Sequence, residues 1–242
     1  MNLKQSTELI ARHGKLPEPK LFQRGVSKSV GSIGSLTTDA DQLAIILNQQ
    51  LLKPFLEREV YQVVLVFVDV VDFSKDTLGD SSREIARKLD DYYSIVVPSL
   101  YRHNGVIEKI IGDGIIGIFG QPFLDKDLGD LIRGARDFGK EVLAQLRDSG
   151  IPAKMALHNG EVMFYSPQQS EYRDYTIVGE PLTELFRLES VAEPNAICVY
   201  EDSGYVEYIS VGKSGGDGMY RGKAKPEQLQ GLGQRNIIHV YI

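Results

Sequence analysis

The most informative segment of the chain is Val63–Ser74, which reads VVLVFVDVVDFS. Its first six residues are apolar and mostly β-branched, a pattern typical of a strand buried on both faces of a sheet. Asp69 interrupts this run, and an isolated carboxylate in an apolar interior is strongly unfavourable unless it is paired or binds a metal ion. The sequence therefore favours a functional carboxylate at the end of a buried strand over a residue that only caps the next turn.

On both sides of this segment, the sequence pattern predicts helices and strands that alternate along the chain. A Gly112-Asp113-Gly114 turn between two apolar runs predicts a β-hairpin, and Pro98 is expected to kink the preceding helix or end it early. The predicted helices are 39–52 (ending before Pro54), a helix capped by Ser81-Ser82, 128–146 and 182–191. The predicted strands are 63–68, 106–111, 115–119, 153–157, 162–165, 196–199, 205–211 and 237–242.

The order strand, helix, hairpin, helix, strand resembles the split βαβ arrangement. We therefore predict an α+β fold of ferredoxin-like type, with a mostly antiparallel sheet and helices on one face. Residues 1–58 are predicted to form an N-terminal arm and an amphipathic helix, and residues 59–242 to form the main domain.

Composition limits the classes of function. The chain has 242 residues, 42% hydrophobic and 25% charged, with a net charge of −6, so it is neither a disordered tail nor a disulfide scaffold. The negative charge predicts no nucleic-acid or membrane partner. A single cysteine, Cys198, and no signal peptide or long apolar segment predict a soluble cytoplasmic protein.

Asp113 gives Asp69 a second carboxylate as a neighbour. In a split βαβ sheet the hairpin tip lies beside the end of the first strand, so the two carboxylates would repel each other unless a divalent cation lay between them. Oxygen ligands without a His or Cys cluster favour Mg²⁺ or Mn²⁺ over zinc. Two such ions beside a phosphate chain are typical of phosphoryl or nucleotidyl transfer.

Three ordered motifs carry a family resemblance: FVDVVDFS, EKIIGDG and YTIVGEPLTELFRLES. Together they resemble the catalytic domain of class III nucleotidyl cyclases, over a region that runs from Val63 to the C-terminus. The resemblance implies that residues 59–242 cyclise a nucleoside triphosphate and release pyrophosphate. It also implies two Mg²⁺ or Mn²⁺ ions per site, held by Asp69, Asp113 and the carbonyl of Val70, with the backbone N–H groups of Phe73 and Ser74 facing the phosphates.

The same resemblance implies a homodimer whose two active sites lie at the interface. Lys109 and Thr176 match a pair that reads adenine, and Arg187 matches an arginine that stabilises charge on the α-phosphate. Two positions depart from the family pattern. Thr183 replaces the asparagine that orients the ribose, and Gln230 replaces the lysine that holds the β- and γ-phosphates. The candidates for the missing cation are Lys223, Lys225 and Arg235.

A narrower resemblance bears on the substrate. Residues 90–123, DDYYSIVVPSLYRHNGVIEKIIGDGIIGIFGQPF, resemble the compact cyclases of bacterial Pycsar antiphage systems, which make cyclic UMP or cyclic CMP. The short side chain of Thr183 agrees with a pyrimidine, whereas Lys109 with Thr176 favours ATP, so an adenylate cyclase is the alternative. A second alternative is a catalytically degenerate module that binds nucleotide and dimerises, because Thr183 and Gln230 both depart from the pattern.

Overall fold

The computed structural model describes residues 51–168, 175–209 and 219–242. The helices are α1 (described from residue 51 to residue 57), α2 (Phe73–Asp76), α3 (Ser82–Arg102), α4 (Leu128–Asp148), α5 (Glu180–Glu189) and α6 (Gly204–Tyr208). The strands are β1 (Val60–Val70), β2 (Val106–Ile111), β3 (Gly114–Gly120), β4 (Ala153–Tyr165), β5 (Thr176–Val178), β6 (Ala196–Tyr200), β7 (Tyr220–Arg221), β8 (Lys225–Leu229) and β9 (Gly233–Tyr241).

One sheet contains all of these strands, in the order β2-β3-β1-β4-β6-β9-β7, with β5 added to β4 and β8 to β9. The pairing of β4 with β6 is parallel, and the other described pairings are antiparallel. β1 lies inside the sheet between β3 and β4, and its residues 63–68 are buried. This is the strand buried on both faces that the valine-rich run predicts.

Alternate residues of β1 point into two separate cores. Val64, Val66 and Val68 contact the long helices α3 and α4 on one face. Residues at the odd positions, among them Leu65 and Phe67, point to the opposite face, where α5 and the end of α1 pack. The α+β class and the mostly antiparallel sheet with its helical layer are confirmed, and Asp69 lies on the face that carries α5.

The two long helices begin at side-chain caps, which is why their N-termini are well defined. The Ser81 hydroxyl accepts from the backbone N–H of Glu84, and the Glu84 carboxylate accepts from the backbone N–H of Ser81, a complete capping box. Asp127 caps α4 in the same way through the N–H of Asp130. Pro98 lies inside α3 rather than ending it, because Ser99 and Leu100 beyond it are fully buried against the core; the predicted early end is wrong.

Three other predicted elements differ from the structure. The strands predicted at 153–157 and 162–165 form one strand, β4, in which Gly160 lets Pro181 of α5 approach: a Cβ there would lie 2.4 Å from the proline ring. The strand predicted at 205–211 is wrong over 205–208, which belong to helix α6; its residues 210 and 211 lie outside the described residues. Tyr205 and Ile209, one helical turn apart, are both buried, and an i, i+4 apolar pair suits a helix.

The N-terminal prediction can be compared with the structure only at its end. Residues 39–50 of the predicted helix lie outside the described residues, and the described part of α1 continues past Pro54 to residue 57, where buried Phe55 packs on the sheet. The boundary at residues 58 and 59 stays a prediction. Across the described ranges, no helix combines the length and the apolar character needed to cross a membrane.

Candidate active site

Asp69 is the next-to-last residue of β1 and lies opposite Lys154 of β4. The Lys154 Nζ lies 3.8 Å from the Asp69 Oδ2 and 2.7 Å from the Glu189 Oε1 at the end of α5. All three side chains are at most about a fifth exposed. One lysine thus contacts two carboxylates, so the cluster has more negative than positive charge.

This imbalance shows in the acidity of Asp69. Burial, the charge of Asp113 and the charge of Glu189 together raise the pKa of Asp69 to about 7, although Lys154 opposes the shift. Desolvation and a neighbouring like charge both disfavour an ionised carboxylate. Lys154 therefore does not fully neutralise the carboxylates at the end of β1, and a further positive charge beside them would be favourable.

The hairpin that carries Asp113 is held next to Asp69 by aromatic side chains. The hydroxyl of buried Tyr92 donates to the carbonyl of Val68 over 3.0 Å, and the hydroxyl of Tyr93 donates to the carbonyl of Gly112. The ring of Phe67 lies under the hairpin, where a Cβ on Gly114 would be 2.5 Å from it. Packing and hydrogen bonds therefore set the position of Asp113.

An irregularity in β2 places Glu108, the residue before Lys109, in contact with Thr176. The pairing of β2 with β3 shifts between Ile107 and Lys109, so Glu108 is an extra residue that forms a β-bulge. Because Lys109 is opposite Ile116, and paired residues share a face, Lys109 faces the side of the sheet that carries Asp69. Glu108 is 1% exposed and accepts a hydrogen bond of 2.7 Å from the Thr176 hydroxyl.

The turn after β1 contains the residues predicted to face phosphates. The N–H groups of Lys75, Asp76 and Thr77 make the internal hydrogen bonds of α2, so those of Phe73 and Ser74 take no part in them. Asp72 begins this turn in the left-handed conformation, with φ of 55°. Val70 ends β1 beside Asp69, which puts its carbonyl at the same strand end.

Arg187 and Gln230 contact each other, although they are far apart in the sequence. The Arg187 Nη1 donates to the Gln230 side-chain oxygen over 3.2 Å, and the Arg187 Nε is buried without a hydrogen-bond partner among the described residues. Thr183 lies one helical turn earlier on α5 and is exposed. The position of the missing phosphate lysine thus lies beside the predicted phosphate arginine.

The three candidate replacements for that lysine differ in their contacts. Lys225 forms an ion pair of 2.9 Å with Glu193. The guanidinium of Arg235 lies 3.7 Å from Glu184 and 3.6 Å from Asp202, and Lys223 is exposed. Of the two cations with acidic neighbours, Lys225 lies closer to its carboxylate than Arg235 does. Arg235 and Lys223 are therefore the better candidates to bind the phosphates.

Sequence reasoning missed three charged residues of this region: Lys154, Glu189 and Glu108. For Glu108 a signal existed, because the adjacent charges of Glu108 and Lys109 break the alternation of an otherwise apolar strand and indicate a bulge. Lys154 and Glu189 depend on how β1, β4 and α5 pack together, which no local pattern records.

The donors at the strand end fit a hard divalent cation. Asp69, Asp113 and the carbonyl of Val70 offer only oxygen, which suits Mg²⁺ or Mn²⁺, and burial with the nearby charges of Asp113 and Glu189 raises the pKa of Asp69. Within the described ranges, no group of three or more His, Cys, Asp or Glu side chains is arranged to hold a metal ion. Any metal here would therefore depend on these two carboxylates, the carbonyl and its own other ligands.

Comparisons with known protein sequences find relatives that are uncharacterised. No family model matches the chain. Two uncharacterised proteins of Mycobacterium tuberculosis, Rv1319c and Rv1320c, are 26% and 25% identical over 142 residues, or 58% of this chain. The match spans only about a quarter of the length of these mycobacterial proteins, 26% and 25%.

Several solved structures of cyclases have a similar fold. The guanylyl cyclase Cya2 matches with a TM-score of 0.64 at 19% identity, over 76% of this chain and 92% of its own. The guanylate cyclase domain of RhGC from Catenaria anguillulae, in complex with GTP, gives 0.64 at 17% identity over 75% and 97%. The adenylyl cyclase CyaB from P. aeruginosa gives 0.60 at 19% over 76% and 95%. The chain therefore has the class III nucleotide cyclase fold.

Proposed function

We propose that this chain is a metal-dependent nucleotidyl cyclase that converts a nucleoside triphosphate into a 3′,5′-cyclic nucleotide and pyrophosphate, acting as a homodimer. The observation that carries the proposal is the pair Asp69 and Asp113. In a sheet with the cyclase fold, burial of Asp69 and the neighbouring charge of Asp113 raise the pKa of Asp69, and a bound cation would offset both effects. Structural ion-pair networks also perturb pKa values, but here the single lysine already has a second carboxylate as its partner.

The reaction forms one P–O bond and breaks another. The 3′-oxygen of the ribose attacks the α-phosphorus, its proton is lost, and the bridging oxygen leaves with pyrophosphate. Bound divalent ions lower the pKa of the attacking hydroxyl and neutralise charge on the triphosphate. Asp69, Asp113 and the Val70 carbonyl would hold these ions, and the backbone N–H groups of Phe73 and Ser74 would bind phosphate oxygens.

The remaining groups would stabilise and orient the nucleotide. The Arg187 guanidinium would stabilise charge on the α-phosphate, a form of transition-state stabilisation that acts strongly in a site shielded from water. Its buried Nε without a partner supports a role toward a ligand. Thr183, exposed on the same helix, would donate to the ribose, and Lys109 with Thr176 would contact the base.

Exposed apolar side chains support a dimer with its sites at the interface. Ile110, Ile111, Val178 and Phe186 are between 36% and 47% exposed. Each is within two residues of Lys109, Thr176 or Arg187 in the sequence, the residues that would face the metal-binding aspartates of the other protomer in a shared site. Burying such patches against a second copy is favourable, and a two-fold axis would create two equivalent sites.

The identity of the base is a finer proposal. The similarity of residues 90–123 to the antiphage pyrimidine cyclases supports UTP or CTP as substrate and a role in defence, and the Lys109–Thr176 pair supports ATP. The test is to incubate the purified chain with Mn²⁺ and each of ATP, GTP, CTP and UTP, and to identify the products by mass. A 3′,5′-cyclic product is expected from at least one of them.

Matched variants make this test specific. Asp69→Asn should abolish turnover while the dimer persists, whereas Asp130→Asn, an exposed carboxylate at the start of α4 paired with Arg133, should keep full turnover. A product from none of the four nucleotides would overturn the enzyme proposal. The degenerate module, which Thr183 and Gln230 favour, predicts nucleotide binding by calorimetry without any product.

A further inference from the structure

The hydroxyl proton of Thr176 is already engaged inside the protein. It points to the Glu108 carboxylate at 2.7 Å, while the alternative acceptor, the carbonyl of Ile177, lies at the limit of 3.5 Å. A threonine hydroxyl has one proton to donate, and here it is directed to a carboxylate oxygen of Glu108, which accepts it. With Glu108 buried in this position, Thr176 has lone pairs to offer to a ligand but no proton.

The bulge in β2 sets Lys109 next to this acceptor. Glu108 and Lys109 are consecutive residues at the register shift, and both lie on the same face of the sheet. An ammonium group only donates hydrogen bonds. At this bulge Lys109 offers a donor and Thr176, bonded to the preceding residue Glu108, offers an acceptor, because Glu108 already takes the Thr176 proton.

This polarity matches only one kind of nucleobase edge. Adenine and cytosine present an exocyclic amino donor beside an unprotonated ring nitrogen, so Thr176 would accept from the amino group and Lys109 would donate to the ring nitrogen. Guanine and uracil present a carbonyl beside a ring N–H, which reverses both positions. With these bases, acceptor would face acceptor at Thr176 and donor would face donor at Lys109.

We propose that Glu108 is a positioning residue that orients the Thr176 hydroxyl and thereby makes the site select an amino-bearing base, ATP or CTP, over GTP and UTP. This inference rests on the proposed cyclase function and narrows it. If the product is a cyclic pyrimidine nucleotide, it is cyclic CMP rather than cyclic UMP. A buried carboxylate is costly without a partner, and serving as the acceptor for Thr176 explains why one lies beside Lys109.

The experiment measures kcat/KM for the pairs CTP against UTP and ATP against GTP on the same preparation. Each ratio is independent of the fraction of folded enzyme, so partial loss of folding does not obscure it. In the pair of nucleotides that is turned over faster, kcat/KM for the amino-bearing member should exceed that for the other member by about ten-fold or more. The reason is that each mismatched polar group loses its hydrogen-bond partner. No product from any nucleotide would refute the cyclase function, whereas turnover with a preference for UTP or GTP would refute this inference alone.

Two variants test Glu108 itself. In Glu108→Gln the amide can donate to the Thr176 oxygen, which frees the hydroxyl proton for a carbonyl of the base, so the preference should fall several-fold. Thr176→Val should also reduce it, and adding Glu108→Gln to Thr176→Val should cause no further change, since the two act through one hydrogen bond. Thr176→Ser should keep the preference, and it tests the role of the hydroxyl even if Glu108→Gln fails to fold.

Glu141→Gln serves as a matched control, because this carboxylate contacts α3 outside the site and its loss should leave both ratios unchanged. An unchanged preference in Glu108→Gln, or an equal loss in the Thr176→Val background, would show that Glu108 has only a structural role.

Discussion

Gly114 sits where the hairpin crosses the ring of Phe67, and its replacement by alanine tests whether packing positions Asp113. A Cβ at this residue would lie 2.5 Å from the Phe67 Cε2 and 3.0 Å from its Cζ, whereas carbon atoms in contact prefer about 3.5–4.0 Å. The ring would have to move by about 1 Å, but it is buried and packs edge-on against Phe186 at 5.4 Å. We expect Gly114→Ala to lower the free energy of unfolding by about 1–3 kcal/mol, the usual cost of overpacking.

Urea unfolding followed by circular dichroism measures this cost, and cyclase turnover measures the displacement of the adjacent Asp113. Gly134→Ala is the matched control, since its nearest neighbour would be at an ordinary 3.6 Å inside α4, where alanine is the better helix former by about 0.5–1 kcal/mol. Shrinking the ring with Phe67→Leu should make Gly114→Ala cheaper in the double variant than alone. A Gly114→Ala protein as stable as the wild type, or a cost that Phe67→Leu does not reduce, would refute the reasoning.

Two other predictions concern the supports of the site. Burial opposes ionisation of Glu141, but hydrogen bonds from three neighbours outweigh it and lower its pKa from 4.5 to about 2. These neighbours are His103, Arg102 and Ser99. The ionised Glu141 therefore stabilises the fold fully above about pH 4.5, and this stabilisation is lost as the pH falls toward 2. It amounts to about 1–2 kcal/mol after allowance for solvent screening. The free energy of unfolding should therefore fall less steeply with decreasing pH in Glu141→Gln than in the wild type, and an identical pH profile would contradict the assignment. Tyr93→Phe removes the hydrogen bond to the Gly112 carbonyl and should cost about 0.5–1.5 kcal/mol. It should also lower kcat more than Tyr208→Phe does, a change at an exposed tyrosine of α6; equal kcat values would argue against a role in placing Asp113.

The sequence predicted the elements whose signal is local. The valine run gives β1, the Gly-Asp-Gly turn gives the hairpin, and the Ser81 cap gives the start of α3. The segment after residue 203 was misjudged because a short apolar run with aromatic residues suits a strand as well as one turn of helix. Its true form depends on the core that Tyr205 meets.

The candidate site was predictable only in part, because some of its contacts depend on long-range packing. Asp69 was identifiable because it interrupts the apolar run of a buried strand, and Asp113 because the hairpin tip is expected beside the end of that strand. The contact of Thr176 with Glu108 and that of Arg187 with Gln230 join residues from distant segments. Such contacts depend on strand register and on helix docking, which single-sequence patterns do not encode.

The most direct test of the shared active site is to mix two inactive variants, Asp69→Asn and Arg187→Ala, and to measure the cyclic product. If each site takes its aspartates from one protomer and its arginine from the other, a mixed dimer has one intact site. Half of the dimers in an equimolar mixture are mixed, so activity should return to about a quarter of the wild-type value. Activity that stays at the level of the separate variants after subunit exchange would contradict a catalytic site shared between two copies.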